Sequence, residues 1–379
     1  PLEDVNSFGN VKETSLSNIV NSDIAKKMRV DMINDRPLPK SCERCVSREL
    51  HGITSMRTGM NANWYDKIEE DVKHTREDGH IEKLNLRYWD FRFSNQCNLS
   101  CRTCGPLFSS SWAGDYEKLE IDNQQTGIIN LDKAELFWED IEKNIKNMEQ
   151  IMFAGGEPMV TPEHYEMLEL LIANNLTHVA LSYNTNLTRL SFKKWNVLDL
   201  WEHFDPNKIS LRPSLDSWGT RAEYLRTGTV WSEVEENITT LMRSNRKVVN
   251  HLRPTVTITA WNILTYTDFM DYMIDRFDFT PDEFGTDTNI LAQPFQMSLR
   301  TLPLELKQLA LDKILDFCQR KKEYIHCTGP AQTIVNSLQQ AEYDTRIDLV
   351  KPFIDNYDNI RGTNFVDTFP ELKDWYNGQ

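Results

Sequence analysis

The segment Phe93-Ser-Asn-Gln-Cys97-Asn-Leu-Ser-Cys101-Arg-Thr-Cys104 carries three cysteines separated by three and then two residues. Three thiolates on one short loop can hold three irons of a four-iron cubane and leave the fourth iron without a protein ligand. A strand-like run at 84–93 leads directly into this loop. The segment therefore predicts a metal-binding loop at the end of a strand.

Other sites that close cysteines can form stay open at this point. Structural zinc usually takes four protein ligands, and no His lies near the triplet to complete a tetrahedron. A disulfide needs an even number of cysteines and an oxidising compartment. Buried thiols that bind nothing are the third alternative. The spacing favours an iron–sulfur cluster over these three.

A second motif follows farther along the chain, where the apolar run 150–154 ends in a Gly-Gly-Glu-Pro loop at 155–158. The two motifs, in this order, resemble the radical S-adenosylmethionine (radical SAM) enzymes, in which a cluster loop follows the first barrel strand and a Gly-Gly-Glu-Pro loop follows the second. The resemblance implies a 4Fe–4S cluster on Cys97, Cys101 and Cys104, and a loop that binds the amino group of SAM at Gly155, Gly156, Glu157 and Pro158.

The Gly-Gly-Glu-Pro loop also has a meaning without the resemblance. Two adjacent glycines let the backbone turn sharply and approach a ligand closely. Glu157 would then face that ligand as an acceptor. Thr161 and Pro162 predict the start of a helix, as its N-cap and its first residue. An ordinary strand-to-helix turn would be the interpretation of the glycine pair alone.

Three polar residues beyond this loop are further candidates for binding SAM. The alternating, strand-like run that begins at Lys208 ends in Ser214 and Asp216. A Tyr-x-Arg-x-Gly motif around Arg226 follows it. Ser214 and Asp216 resemble the polar residues of the family's fourth strand, which approach the ribose of SAM. Arg226 resembles the arginine that pairs with the SAM carboxylate. A guanidinium suits that role because its planar fork binds a carboxylate bidentately. We expect Arg221 on a solvated helix face instead.

Two positions fit the family pattern less closely. Asn184 and Asn186 end another strand and resemble the family's Thr-Asn-Gly position, but Asn also commonly terminates strands for local reasons. Thr103 stands where the family usually has an aromatic residue near the adenine, and a hydroxyl cannot supply a stacking surface. Adenine recognition is then expected elsewhere, for example from the strand-like run 255–261.

Strand-like and amphipathic helical runs alternate through the middle of the chain. Parallel strands joined by crossover helices predict an α/β fold, a partial (β/α)6 TIM-like barrel with its ligand loops at the carboxyl ends of the strands. Helical patterns after residue 300 predict a helical C-terminal extension. The expected domains are 1–80, 81–300 and 301–379. The predicted strands are 84–93, 150–154, 178–184, 208–215, 253–260 and 289–299.

The first 80 residues contain a second close pair of cysteines, Cys42 and Cys45. The stretch 9–45 resembles the auxiliary-cluster modules called SPASM or twitch domains, in the version found ahead of the barrel. The resemblance implies a second iron–sulfur cluster, and zinc is the alternative. Cys327 is a further candidate ligand, whereas Cys318 fits a helix as a small apolar residue. The chain does not begin with Met, so we expect that upstream cysteines of such a module are not represented.

Composition limits the partners and the compartment. The 379 residues are 40% hydrophobic, with no apolar run near the roughly 20 residues that span a membrane. The net charge of −15 argues against nucleic acid as a default partner. No signal-peptide pattern is present, and thiolates that bind metal indicate the reducing cytoplasm.

The motifs together predict an enzyme that cleaves SAM reductively at a 4Fe–4S cluster and abstracts hydrogen from a substrate with the resulting 5′-deoxyadenosyl radical. The resemblance favours a peptide or protein substrate, with a small metabolite or RNA as alternatives. An electron donor such as flavodoxin or ferredoxin is the implied partner. The rival from another class is a non-catalytic, zinc-binding scaffold protein.

Overall fold

A computed structural model describes residues 7–50, 54–120, 127–131, 134–243, 248–343 and 346–378 of the chain. The chain divides into two compact units. The first comprises Pro1–Arg87 and Leu131–Met148, and the second comprises Tyr88–Asn130 and Glu149–Gln379. These bounds differ from the predicted domains, because the helices after residue 300 belong to the same unit as the strands. None of the described helices is both long and apolar enough to cross a membrane.

The elements are numbered here in chain order. The α-helices are α1 (Leu16–Val20), α2 (Asp23–Ile33), α3 (Glu43–Leu50), α4 (Met56–Asn63), α5 (Tyr65–Lys73), α6 (Ala113–Lys118), α7 (Glu135–Asn144), α8 (Pro162–Ala173), α9 (Val197–Trp201), α10 (Gly219–Leu225), α11 (Trp231–Arg243), α12 (Tyr266–Phe277), α13 (Leu304–Arg320), α14 (Ile325–Gln340), α15 (Val350–Arg361), α16 (Phe365–Thr368) and α17 (Lys373–Asn377). The strands are β1 (Tyr88–Phe91), β2 (Ser100–Cys101), β3 (Gln150–Phe153), β4 (Ala180–Thr185), β5 (Ser191–Phe192), β6 (Trp195–Asn196), β7 (Ile209–Pro213), β8 (Arg226–Thr227), β9 (Thr255–Ile258) and β10 (Asp287–Ile290). Short 3₁₀ helices lie at Lys40–Cys42, Ser110–Trp112, Ile145–Asn147, Pro158–Val160, Pro206–Lys208, Ile263–Thr265, Phe295–Met297, Leu299–Thr301, Ile347–Leu349 and Pro370–Leu372.

The first unit is built mainly from helices that begin at polar caps. The Ser15 hydroxyl accepts a hydrogen bond from the Asn18 amide at the start of α1, and Ser22 caps α2 in the same way. Such caps satisfy amides that have no partner inside the helix. The amide of Leu16 in α1 donates to the Asp140 carboxylate of α7 at 2.7 Å, so α7 joins the N-terminal helices although it lies far along the chain.

The second unit contains the predicted barrel strands. Strands β1, β3, β4 and β7 form one parallel sheet in that order, and β9 pairs in parallel with β10. Single parallel bridges, Ser214 to Thr255 and Leu211 to Leu252, continue the sheet from β7 toward β9. The long connections between the first four strands contain helices, as parallel pairing requires. This architecture confirms the predicted partial (β/α) barrel.

The two faces of this sheet differ in chemistry. One face is apolar and buried, with Ile151, Phe153, Leu181 and Tyr183 all at 0% exposure. The opposite face carries polar side chains, and a parallel sheet covered on both sides would be apolar on both. Residues on the polar face include Asp90, Ser182, Asn184, Ser210, Arg212 and Thr257, of which Asp90, Asn184 and Arg212 are exposed.

Most predicted elements are present but shorter than the patterns suggested. Helix α8 begins at Pro162 after Thr161, as predicted, although the Thr161 hydroxyl donates to the Glu157 carbonyl instead of capping the helix. The sixth strand ends at Ile290 rather than near residue 299. Pro294 follows soon after it, and a proline cannot donate to a strand ladder.

Candidate functional site

The cysteine loop follows β1 and is paired with a second segment of the chain. Its strand β2 is antiparallel to β8, with Cys101 opposite Arg226, and the Arg102 amide donates to the Leu225 carbonyl at 2.8 Å. The sequence around Arg226 predicts a ligand-binding motif. In the structure its backbone also fixes the middle of the cysteine loop.

The three loop cysteines are free and largely withdrawn from solvent. Cys101 is buried, while Cys97 and Cys104 are half-buried. Burial raises the pKa of Cys97 to about 11 and of Cys101 to about 12, and it raises the pKa of Cys104 as well. Without a metal these thiols are therefore neutral at physiological pH, and a bound metal must displace their protons.

Several N–H groups surround these sulfurs. The Leu99 amide lies 3.5 Å from Cys97 Sγ, the Asn186 side-chain amide lies 3.9 Å from the same sulfur, and Arg226 Nη1 lies 3.7 Å from Cys101 Sγ. Hydrogen bonds to thiolate sulfur stabilise its charge and tune an iron–sulfur cluster. The donors present therefore fit thiolates that bind a cluster.

No group of three or more His, Cys, Asp and Glu side chains converges on a single ion anywhere in the described part of the chain. A cubane places each cysteine on a different iron, so it does not require three sulfurs to meet at one point. The lack of a single-ion site among the described residues is therefore compatible with a cluster of several irons held by these thiols.

Gly155 and Gly156 pack against the backbone that leads into the cysteine loop. Their φ angles are +78° and +47°. A Cβ on Gly156 would lie 2.2 Å from the Gln96 carbonyl oxygen, and one on Gly155 would lie 2.8 Å from the Cβ of Arg92. We expected these glycines to let a ligand approach, but the backbone that approaches them is the protein's own. A contact with SAM stays a prediction.

Glu157 is buried and its carboxylate is directed at protein donors. The carboxylate accepts hydrogen bonds from the Asn186 amide at 2.6 Å, from the Thr185 hydroxyl at 2.7 Å and from the Met159 amide at 3.0 Å. Burial raises the pKa of Glu157, and these hydrogen bonds oppose the rise. Glu157 thus joins its loop to the end of β4. A contact of Glu157 with SAM stays a prediction. Pro158, buried, begins the 3₁₀ helix after it.

The two asparagines after β4 have different positions. Asn186 is buried, and its side-chain amide donates to the Asn98 side chain at 2.9 Å beside Cys97. Asn184 is exposed on the polar face of the sheet, opposite Arg212 of β7. The structure therefore brings Asn186 to the cysteine loop, whereas Asn184 belongs to the open sheet face.

Asp216 and Arg226 form a buried ion pair at the loop. Arg226 Nε lies 2.8 Å from Asp216 Oδ2, and the other carboxylate oxygen accepts from the Thr257 amide at 2.7 Å. Burial lowers the pKa of Arg226, but the Asp216 carboxylate and the neighbouring thiols raise it, and the net direction is upward. Asp216 thus orients Arg226 toward Cys101. Contacts of either residue with SAM stay predictions.

Ser214 lies at the carboxyl end of β7, where its amide donates to the Thr185 carbonyl at 2.7 Å. Thr103, which stands where the radical SAM family usually has an aromatic residue, is half-buried. The strand-like run 255–261 is the segment expected to recognise the adenine of SAM. Within it, Trp261 is fully buried and packs against Phe365, so its ring is not available at a surface. Thr255 and Thr257 of β9 remain half-buried on the polar side.

Arg102, inside the cysteine loop, makes contacts that no sequence pattern predicts. Its side chain is completely buried, and its Nη2 atom lies 2.9 Å from Asp358 and 2.7 Å from the Thr363 hydroxyl. Its guanidinium also lies 3.8 Å from the centre of the Tyr224 ring. The only sequence signal was an arginine between two cysteines. The C-terminal segment therefore reaches the cysteine loop directly.

Two serines that follow the cysteine loop donate hydrogen bonds to its backbone. The Ser109 hydroxyl donates to the Leu99 carbonyl, and the Ser111 hydroxyl donates to the Cys97 carbonyl, both at 2.6 Å.

The expectation for Arg221 was wrong: it lies 2.9 Å from Glu371 and donates to the Thr368 carbonyl, so it does not occupy a solvated face.

The other cysteines lie in helices. Cys42 ends the 3₁₀ helix before α3, and Cys45 lies in α3; both are half-buried and free. Cys327 is fully buried in α14, and burial raises its pKa to about 12. It packs as a small hydrophobe, as does half-buried Cys318 of α13. The proposal of Cys327 as a metal ligand thus finds no support among the described residues.

Comparison with known proteins gives one match to a family. Residues 2–46 match the model of SPASM, an iron–sulfur cluster-binding domain. The match confirms the predicted resemblance of the N-terminal segment to SPASM modules. No curated protein sequence matches the chain significantly.

Solved structures give more distant likenesses. The protein anSMEcpe with bound AdoMet is 19% identical over 62% of this chain and 61% of its own, with a TM-score of 0.42. Streptococcus suis SuiB bound to S-adenosylmethionine is 13% identical over 80% of this chain and 63% of its own, with a TM-score of 0.38. The chain thus spans about three fifths of the proteins it matches. These likenesses do not by themselves establish an activity.

Proposed function

We propose that the chain is a radical SAM enzyme that binds a 4Fe–4S cluster through Cys97, Cys101 and Cys104. The observation that carries the proposal is the construction of the cysteine loop: Arg226, paired with Asp216, directs Nη1 at Cys101 from 3.7 Å. A buried cation beside a buried thiol favours the thiolate that iron requires. The SPASM match at residues 2–46 is independent support for iron–sulfur chemistry in this chain.

The bound cluster and SAM would supply one-electron cleavage of the sulfonium bond, giving methionine and a 5′-deoxyadenosyl radical that takes hydrogen from the substrate. The protein's own residues hold this chemistry in place. Asn186 and Arg226 donate toward the sulfurs. The glycine loop at 155–156 supports the backbone before Cys97. Ser214, Asp216 and Arg226 stay our candidates for the ribose and carboxylate of SAM.

The test is anaerobic reconstitution with iron and sulfide, followed by an assay for 5′-deoxyadenosine formed from SAM with dithionite. We expect iron and sulfide to bind and 5′-deoxyadenosine to form. Cys101→Ala should abolish both, because a cubane held by two cysteines is lost readily. Cys318→Ala is the matched control, since this half-buried thiol lies in α13, and it should behave as the wild type.

A zinc-binding scaffold gives a different set of results. Zinc would replace iron in the anaerobically purified protein, and no 5′-deoxyadenosine would form with any reductant. Equal activity of Cys101→Ala and wild type would also refute the assignment of the cluster cysteines. Either result removes the proposed function.

For the substrate we propose a peptide or protein. The polar sheet face supports a substrate rich in hydrogen-bonding groups, because Asn184 and Arg212 are exposed there in register with each other. SuiB has been solved bound to the precursor peptide SuiA, a likeness with a TM-score of 0.35. Small metabolites and RNA remain the alternatives.

A library of short synthetic peptides labelled with deuterium tests the substrate class. Transfer of deuterium into 5′-deoxyadenosine identifies a peptide as the hydrogen donor. Arg212→Ala should reduce this transfer and leave cleavage of SAM in the absence of peptide unchanged. Deuterium transfer from labelled RNA but from no peptide would favour the alternative, and RNA binding would weaken steeply with salt.

We further propose that Cys42 and Cys45 bind a second cluster, in line with the SPASM match. Iron per chain near eight would support two clusters, and near four would support one, since each cubane holds about four irons. The Cys42→Ala/Cys45→Ala double variant should lower the higher count and leave the cluster at Cys101 loaded. Iron–sulfur clusters and seven cysteines suit a reducing compartment, and we propose the cytoplasm.

A further inference from the structure

A groove of 450 Å³ opens beside the cysteine loop. Its lining includes Cys97 and Asn98 of the loop, together with Arg189, Phe192 and Lys193 of the following segment. Cys101 is buried, whereas Cys97 is half-buried and reaches this groove. The groove therefore provides a surface approach to one sulfur of the cysteine loop.

The segment that forms the outer wall of the groove is basic. Strands β5 and β6 form a short antiparallel hairpin, and Arg189, Lys193 and Lys194 on or next to it are all exposed. No Asp or Glu occurs between Glu169 and Asp199 in the sequence. The chain as a whole has a net charge of −15, so a basic hairpin is an exception to its composition.

The positive charge of this hairpin is only partly compensated. Arg189 Nη1 lies 3.7 Å from Glu233, and Glu169 accepts from the Trp195 indole at 2.9 Å. Within the described residues, no carboxylate lies at ion-pair distance from Lys193 or Lys194. Their ammonium groups lie instead over the rings of Phe192 and Trp195, at 5.1 and 4.7 Å from the ring centres. Both lysines remain available to a partner.

We propose that this basic hairpin is the docking surface for an acidic one-electron carrier protein that reduces the cluster through its Cys97 side. The inference rests on the proposed function, because the cluster must be reduced by one electron for each SAM cleaved while the carrier is oxidised by one electron. Complementary charge raises the association rate of two proteins and orients them. A chain with strong negative charge elsewhere would repel an acidic carrier from its other surfaces.

The experiment compares two reductants on the same reconstituted protein. Reduced flavodoxin is the protein carrier, dithionite is the small reductant, and the readout is the initial rate of 5′-deoxyadenosine formation. We expect Lys193→Glu/Lys194→Glu to lower the flavodoxin-supported rate at limiting flavodoxin by roughly tenfold or more. The dithionite-supported rate, iron content and KM for SAM should stay at their wild-type values.

A matched double variant controls for total charge. Lys322→Glu/Lys373→Glu makes the same change of charge at exposed lysines in the C-terminal part of the chain, and its flavodoxin-supported rate should fall much less. Rising salt should slow the wild-type reaction with flavodoxin and affect the hairpin variant less, because screening acts on the same charges.

The outcomes separate this inference from the proposed function. Wild-type protein that forms no 5′-deoxyadenosine with dithionite refutes both. Normal dithionite activity with equal flavodoxin rates in wild type and hairpin variant refutes the docking surface alone. A variant that raises the KM for SAM, or that loses deuterium transfer from peptide at an unchanged flavodoxin rate, also refutes it, because the groove would then bind SAM or substrate.

Discussion

Arg102 Nη2 lies 2.9 Å from Asp358 Oδ1, which joins the cysteine loop to helix α15 although the two residues are 256 positions apart. The arginine side chain is fully buried and that of Asp358 is mostly buried. A second pair, Arg361 with Asp115 at 2.6 Å, joins the same helix to α6 just after the loop. The C-terminal extension is therefore part of the support of the candidate cluster site.

Asp358→Ala should destabilise the protein and empty the cluster site together. The substitution leaves the Arg102 guanidinium buried without its counter-ion, which costs about 3–5 kcal/mol in comparable pairs. The free energy of unfolding, measured with urea by tryptophan fluorescence, should fall by that order, and iron per chain should fall with it.

Two companion variants make this test specific. Asp358→Asn keeps an acceptor for Arg102 and should lose less of both stability and iron. Asp367→Ala removes an exposed carboxylate from the same C-terminal region, and it should stay within about 0.5 kcal/mol of the wild type. Full iron loading in a destabilised Asp358→Ala protein would show that the loop does not depend on the C-terminal helix.

The second prediction separates steric contact from backbone strain at Gly156. Gly156 and Gly219 have similar φ angles, +47° and +55°, but a Cβ on Gly219 would meet nothing within 4 Å. Gly219→Ala should therefore cost only the strain of a left-handed residue, about 1–2 kcal/mol. Gly156→Ala adds a clash with the Gln96 carbonyl and should also displace the cysteine loop. Iron per chain is the measurement, and equal iron loading in both variants would contradict the assigned role.

Arg226→Lys tests whether the guanidinium fork is needed beside the proposed cluster. Arginine uses Nε for Asp216 and Nη1 for Cys101, and a lysine ammonium keeps the charge but cannot present both groups in that geometry. We expect a shifted reduction potential and a roughly 10–100-fold lower rate of SAM cleavage. Arg221→Lys, at an arginine paired with Glu371, is the control. An unchanged potential in Arg226→Lys would contradict a role toward Cys101.

The sequence predicted the strands and the loops that follow them because local patterns determine both. The alternation of apolar residues located β3, β4 and β7 to within a few positions, and the cysteine spacing located the loop. Sequence order could not reveal which loop packs on which. The glycines at 155–156 were assigned to a ligand, but only the fold shows the Gln96 carbonyl against them.

The contacts of the C-terminal segment were beyond prediction for a related reason. Arg102 and Asp358 each look like ordinary surface charges in the sequence, and no local pattern joins residues so far apart. Arg221 was expected in solvent for the same reason, since its partners Glu371 and Thr368 follow at a distance of about 150 residues. Buried ion pairs depend on tertiary packing, which a single sequence does not display.

The last prediction concerns acid sensitivity at His164. This histidine is fully buried beneath the sheet, where Nε2 lies 3.2 Å from the Tyr183 hydroxyl. Among the residues that the structure describes, Nδ1 has no hydrogen-bond partner. Burial lowers the pKa of His164 from 6.5 to about 3. The unfolded chain therefore binds a proton at pH values where the folded chain does not, so stability falls as pH falls from about 6.5 toward 3. The loss should reach roughly 3 kcal/mol at about pH 4, given about 1.4 kcal/mol for each pKa unit.

His164→Gln should flatten the dependence of the unfolding free energy on pH in this range, whatever its own stability. His178→Gln, at an exposed histidine, should keep the wild-type slope, and an equal slope in wild type and His164→Gln would show that His164 is not the acid-sensitive group.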